Sequence, residues 1–349
     1  MEKRGMKELL YQLPKVDLHV HLDGSVKPET LLELARRQGA ELPAGCRKTL
    51  LPFMQVDESC GSLKEYLSKF DFVLPFLQTG EALERVACEI AEQAAEHNCR
   101  YVEVRFAPQL HRSGGLTAEE TIRYVLAGLQ RGERDYGVKS RAIAICMRHH
   151  GYEENADVVQ AAALYAGRGL AAVDLAGDEA SFPPDRFRDV FSLCRELGIP
   201  VTIHAGEAGG AGNVYEAVTR LGASRIGHGV RLREDAAVLE LVRERRVPLE
   251  MCPVSNIQTK AVADWHVYPI RDYFDRGLLI TINTDNPIVS GTNITKEYEI
   301  LAEKFNFTMS ELAKLVMNGV EAAFLEDSEK SILKRDVERE LQELGIACG

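Results

Sequence analysis

No run of roughly 18 apolar residues occurs in this 349-residue chain, so no ordinary membrane-spanning helix is expected. The opening stretch from Met1 to Lys15 scatters charges and holds no uninterrupted apolar segment, as a secretion signal would require; a cytoplasmic protein is the expectation. No Lys/Arg-rich run offsets the net charge of −11, so polyanions are repelled and nucleic acid is not an expected partner. No CxxC pair occurs among the eight cysteines, which lie far apart and suit a reduced interior where thiols pack as small apolar groups. Cys88 falls on a helix by this reading, and Cys146 and Cys252 fall within strands. No GxGxxG follows any strand, which weighs against an open doubly wound sheet.

What the chain does hold is a 45% hydrophobic composition, ample for one large core, in a regular alternation of strands and helices. Short β-branched or apolar runs lie at 16–22, 100–106, 141–147, 171–175, 200–204, 224–228, 247–252 and 278–283. Eight strands alternating with helices is the count of a closed parallel (β/α)₈ TIM barrel, an α/β fold. Leu83, Val86, Ala87, Ile90 and Ala94 line one face of a helix that should pack against the strands. Pro28 opens the first helix after Ser25 and Gly39 ends it. The link from the first strand to the second is far longer than a βα loop needs, and its stretch Tyr66, Phe70, Phe72, Phe76 predicts a helical lid. The tail from Phe307 to Gly349 reads as charged amphipathic helices. With neither repeat nor linker, residues 1–349 form a single domain by this reading.

His19 and His21 are two apart on the first strand, so both imidazoles project to one face and could share a cation. His204 ends the fifth strand, His228 the sixth, and Asp285 follows the eighth. These polar residues therefore gather at the C-terminal rim, where barrel enzymes place their chemistry.

The segments HVHLDGS (19–25), DLAGDE (174–179), HAGEAG (204–209), GHG (227–229), CPVSN (252–256) and NTDNP (283–287) together resemble the adenosine deaminase family. YVEVRFAP (101–108) and LSKFDF (67–72) extend the resemblance, which spans almost the whole chain in order. It implies one zinc ion held by His19, His21, His204 and Asp285, with water completing the shell; zinc lowers the pKa of such a water towards about 7. No lysine stands at the end of the fourth strand, where a binuclear relative would place a bridging one. The resemblance further implies that Glu207 protonates purine N1 and that His228 acts as base towards the attacking water, assistance typically worth about 10² to 10⁴ in rate.

Substrate contacts implied by the resemblance come from His21, from Asp23 to a ribose hydroxyl, from the Gly177 backbone N–H to purine N3, and from an apolar wall of Leu63, Tyr66 and Phe70. Asp23 stands where adenine deaminases of the family carry Glu, which favours the nucleoside. The chain departs from the family at Asn286, where a second aspartate is usual. An asparagine amide always has donors, so it can serve purine N7 without needing a proton. Ala107 replaces a serine of the family's second-strand motif, a minor change.

The activity this implies is hydrolytic deamination of adenosine, and of 2′-deoxyadenosine, with a small-molecule purine nucleoside as the partner and no protein or membrane partner. The same chemistry on adenine, a modified adenosine or aminodeoxyfutalosine is one alternative; an inactive nucleoside-binding barrel is another. Deaminases that use HxE with PCxxC are excluded, because neither motif occurs.

Overall fold

The computed structural model describes residues 3–57, 60–61 and 63–347. Eight parallel strands run in chain order: β1 (Lys15–His21), β2 (Cys99–Phe106), β3 (Lys139–Met147), β4 (Leu170–Ala176), β5 (Thr202–Ala205), β6 (Arg225–His228), β7 (Leu249–Met251) and β8 (Ile280–Ile282). The ladders form two four-stranded halves, β1 to β4 and β5 to β8. Two seams join them into a barrel. Val173 bridges Val201, and at the other seam His21 N–H donates to the Asp285 carbonyl (2.8 Å) while Asp285 N–H donates to the His19 carbonyl (2.7 Å).

Each predicted strand is present, shifted by one or two residues at its ends. The helix expected to be the first runs Pro28–Gln38 with Gly39 as a left-handed cap, but a helix Lys3–Gln12 already precedes β1; the face of Leu83, Val86, Ala87 and Ile90 is buried on helix Gly80–Glu96. Cys88 lies on that helix and Cys146 on β3. Cys252 corrects the sequence reading: β7 ends at Met251, and Cys252 is the N-cap of a short helix, Pro253–Gln258, because Pro253 cannot donate to a further ladder.

Alternation on β2 sends Val102, Val104 and Phe106 outward to the helices and Tyr101, Glu103 and Arg105 into the barrel. Arg105 donates to Asp174 on β4 (2.9 Å) and to Glu250 on β7 (2.7 Å), and Arg225 on β6 pairs with Glu250 and Glu103. β6 and β7 are neighbours, but β2 adjoins none of β4, β6 and β7, so the bonds made by Arg105 and Glu103 can only cross the interior. Every charge in this fully buried network has an opposite partner, without which its desolvation would be prohibitive. The tail closes the floor: the Phe324 ring lies 3.7 Å from the Arg225 guanidinium, and helices Met309–Ala322 and Asp327–Glu343 follow the predicted amphipathic pattern.

Candidate active site

The C-terminal rim carries a cavity of about 330 Å³ lined by residues from the ends of most strands and from the long insertion. On its floor the His21 Nε2 atom lies 3.3 Å from Asp285 Oδ1 and 3.3 Å from His204 Nε2, and His19 Nε2 lies 3.4 Å from Asp285 Oδ1. Ligand atoms about 2.0–2.1 Å from one zinc ion, at angles of roughly 90–120°, would stand roughly 2.8–3.6 Å from one another, so these spacings suit the edges of such a site.

Two histidines have their tautomers set from behind. His19 Nδ1 meets Glu250 Oε2 at 2.8 Å, and His204 Nδ1 meets the Asp174 carboxylate at 3.0 Å. Each carboxylate accepts a hydrogen bond from Nδ1–H, which leaves the Nε2 lone pair facing the cavity. His19 Nε2 is buried and has no hydrogen-bond partner, an expensive condition that a cation would relieve. Burial holds the His19 ring neutral, lowering its pKa to about 4, and burial likewise pushes His21 well below its usual value. Burial alone would raise the Asp285 carboxyl, but the His19 ring beside it and the other histidines around it hold it well below the carboxylate range. Burial alone would lower His204 too, but the Asp174 carboxylate raises it; the neutral His19 and His21 rings beside an ionised carboxylate are donors that suit a divalent metal.

Asp285 and His228 both adopt left-handed backbone conformations, with φ of 60° and 65°. Such strain in residues other than glycine persists only where surrounding contacts over-determine it. The short helix Pro253–Gln258 supplies them: Ser255 Oγ donates to Asp285 Oδ2 (2.6 Å), and Asn256 Nδ2 lies 2.9 Å from His228 Nδ1. Asn256 Oδ1 is engaged by the Tyr268 hydroxyl (3.0 Å) and by the Cys252 N–H (3.4 Å). A backbone N–H can only donate, so the Asn256 amide nitrogen faces the imidazole and donates to Nδ1. In neutral His228 the ring proton therefore sits on Nε2, directed towards Glu207 Oε2 at 3.6 Å. With that tautomer His228 presents a hydrogen-bond donor to the cavity, whereas the resemblance implies a base. His228 also lies close enough to His19, His204 and Asp285 to be grouped with them as a potential ligand, but its bond to Asn256 and its approach to Glu207 give it another use.

Glu207 lines the cavity and accepts from Thr259 Oγ1 at 3.2 Å. Asp23 lines it as well; burial raises its carboxyl to about 6, and Oδ1 has no partner. Gly177 does so with φ at +108°, a conformation that places its N–H without strain only because it lacks a Cβ. Asn286 is buried beside them. Tyr66 and Phe70 reach the cavity from helix Leu63–Val73, where Tyr66 bonds Ser290 through its hydroxyl (2.7 Å). The side chain of Leu63 lies outside those described. Leu67 and Leu74 also line this wall, which sequence reasoning missed although both share the helical stripe. Ser255, Asn256 and Glu250 were missed as well, since only three-dimensional contact reveals what they hold.

The adenosine deaminase family's sequence profile matches residues 14–340. An adenosine deaminase of Enterococcus faecalis is 44% identical, over 94% of this chain and 97% of its own length. Among solved structures, an adenine deaminase from Arthrobacter aurescens superposes with a TM-score of 0.87 at 29% identity, covering 95% of this chain and 99% of its own. An amidohydrolase from Burkholderia ambifaria with bound zinc superposes at 0.89 and 25% identity, covering 99% and 95%.

Proposed function

The chain belongs to the adenosine deaminase family and hydrolyses adenosine to inosine and ammonia; we propose that it does so around one zinc ion held by His19, His21, His204 and Asp285. The observation that carries this reading is the convergence, in one cavity, of three imidazole nitrogens and a carboxylate with a separate acid, Glu207. When bound, the metal would act as a Lewis acid towards water. The protein's own groups do the rest. Glu207 donates a proton to purine N1, which removes aromatic stabilisation and makes C6 electrophilic. His228, through Nε2–H, orients the water oxygen that adds to C6; of that water's two protons, one leaves on ammonia as the C6–N bond breaks and the other restores Glu207. The Gly177 N–H and the Asn286 amide hold N3 and N7, while Tyr66 and Phe70 shield the ring from water.

Two features select the substrate. Asp23, Asp71, Asp178, Glu207 and Asp285 line the cavity, and no lysine or arginine does among the described residues, so a 5′-phosphate would meet carboxylates and no countercharge. A nucleoside is therefore favoured over a nucleotide. The unpartnered Asp23 oxygen favours a ribose hydroxyl donor, and hence adenosine or 2′-deoxyadenosine over free adenine. The continuous core across both half-barrels supports one domain. No helix among the described residues is long and apolar enough to cross a membrane, and the reading fits an enzyme of cytoplasmic purine salvage.

The test is loss of the adenosine absorbance band with purified protein, with and without a chelator, beside parallel assays on adenine, AMP and aminodeoxyfutalosine. Faster turnover of any of these than of adenosine would displace the substrate assignment.

A further inference from the structure

Glu179 has no place in the chemistry above, yet its side chain is buried, at 2% exposure, behind the loop that carries Glu207. Four consecutive backbone amides converge on it. Gly206 N–H donates to Oε1 (2.8 Å), and Glu207, Ala208 and Gly209 donate to Oε2 (3.0, 2.8 and 2.8 Å). Asn213 Nδ2 adds a fifth bond at 3.0 Å. Successive N–H groups point inward like this only around an anion. The fit is close, for a Cβ on Gly209 would come within 2.7 Å of the Glu179 Oε1 atom.

Glu207 sits within this ring of amides, its backbone bound to Glu179 and its side chain turned the other way, towards Thr259 and His228. Burying a carboxylate to fix a half-buried loop is costly, and the cost falls on the loop that carries Glu207. What the carboxylate adds is a fixed origin for one side chain. Glu179 also lies two residues after Gly177, so one short segment beyond β4 touches both the purine-facing N–H and the acid's loop.

We propose that Glu179 is a positioning residue for the reaction: its carboxylate anchors the 206–209 amides so that Glu207 meets purine N1. The proposal rests on the reading of Glu207 as the acid. Glu179→Gln turns an amide NH₂ onto part of the ring, and a displaced acid should lower kcat by about 10²-fold. KM for adenosine and bound zinc should be little changed, because Glu179 touches neither, and hydrogen exchange at 206–209 should accelerate. Since Glu179 acts only through Glu207, the double variant Glu179→Gln/Glu207→Gln should be no slower than Glu207→Gln alone. Glu179→Asp keeps the charge but withdraws it by a methylene; it is the milder variant and should show the same kcat-against-KM split with a smaller loss.

Additive losses in the double variant, or wild-type kcat in either folded single variant, would overturn the proposal. If Glu207→Gln itself were unimpaired, the acid assignment would fall and the positioning role with it. That outcome is distinct from failure of the positioning alone, in which Glu207→Gln is slow and the Glu179 variants are not.

Discussion

Glu207→Gln keeps the shape of the side chain and its bond from Thr259 but has no proton to give. It should lose about 10² to 10⁴ of kcat while retaining its metal, as turnover and zinc analysis would show. Asn286→Asp reverses the logic: the new carboxyl donates to N7 only while protonated, so activity should persist at low pH and fall as pH rises, relative to the parent. Complete loss at every pH would mean that the amide does more than donate. The residues behind these predictions were legible in the sequence, because histidines and carboxylates recurring at strand ends have few structural uses. The partners that discipline them were not. Ser255, Asn256 and Glu179 lie within the motifs CPVSN and DLAGDE, but only the fold shows what they hold, by setting them against Asp285, His228 and the 206–209 amides.

Among the elements, the lid helix Leu63–Val73 stands apart: Tyr66 and Phe70 pack in a small cluster with Val56, Cys60 and Val289, separate from the main core. Tyr66→Phe removes the bond to Ser290 and should loosen the lid by about 0.5–1.5 kcal/mol, raising KM for adenosine more than it lowers kcat in steady-state assays. Helix Ile294–Phe305 supports the site from outside through buried Glu297, which accepts from Val254 N–H at the start of the Ser255–Asn256 helix. Burial raises the Glu297 carboxyl to about 8, above its unfolded value. The folded state then holds the proton more tightly, so this contribution to stability is complete below the unfolded value and is lost as pH rises through about 8. Urea titrations of Glu297→Gln should show a flatter decline than the parent over that window. Strand order and the lid followed from periodicity and connection length. Strand ends shifted wherever a proline or a cap intervened, as at Cys252, because pattern alone does not see the ladder stop.

At the scale of the whole molecule, Arg105 links the two carboxylates, Asp174 and Glu250, that orient His204 and His19. Arg105→Met would leave both carboxylates short of a buried cation and should cost about 3–5 kcal/mol in denaturant unfolding, with weakened zinc retention in whatever folds. No pattern in the sequence announces this network, since a charged residue on a strand usually faces water, and only barrel closure turns it inward.

Closure also orders events in time. The β1–β8 seam brings Asp17 to Thr284, 267 residues further along the chain, and the same seam carries His19, His21 and Asp285. A ribosome must therefore pass residue 285 before a complete ligand set can exist, so the ion can reward a closed barrel but cannot template its early assembly.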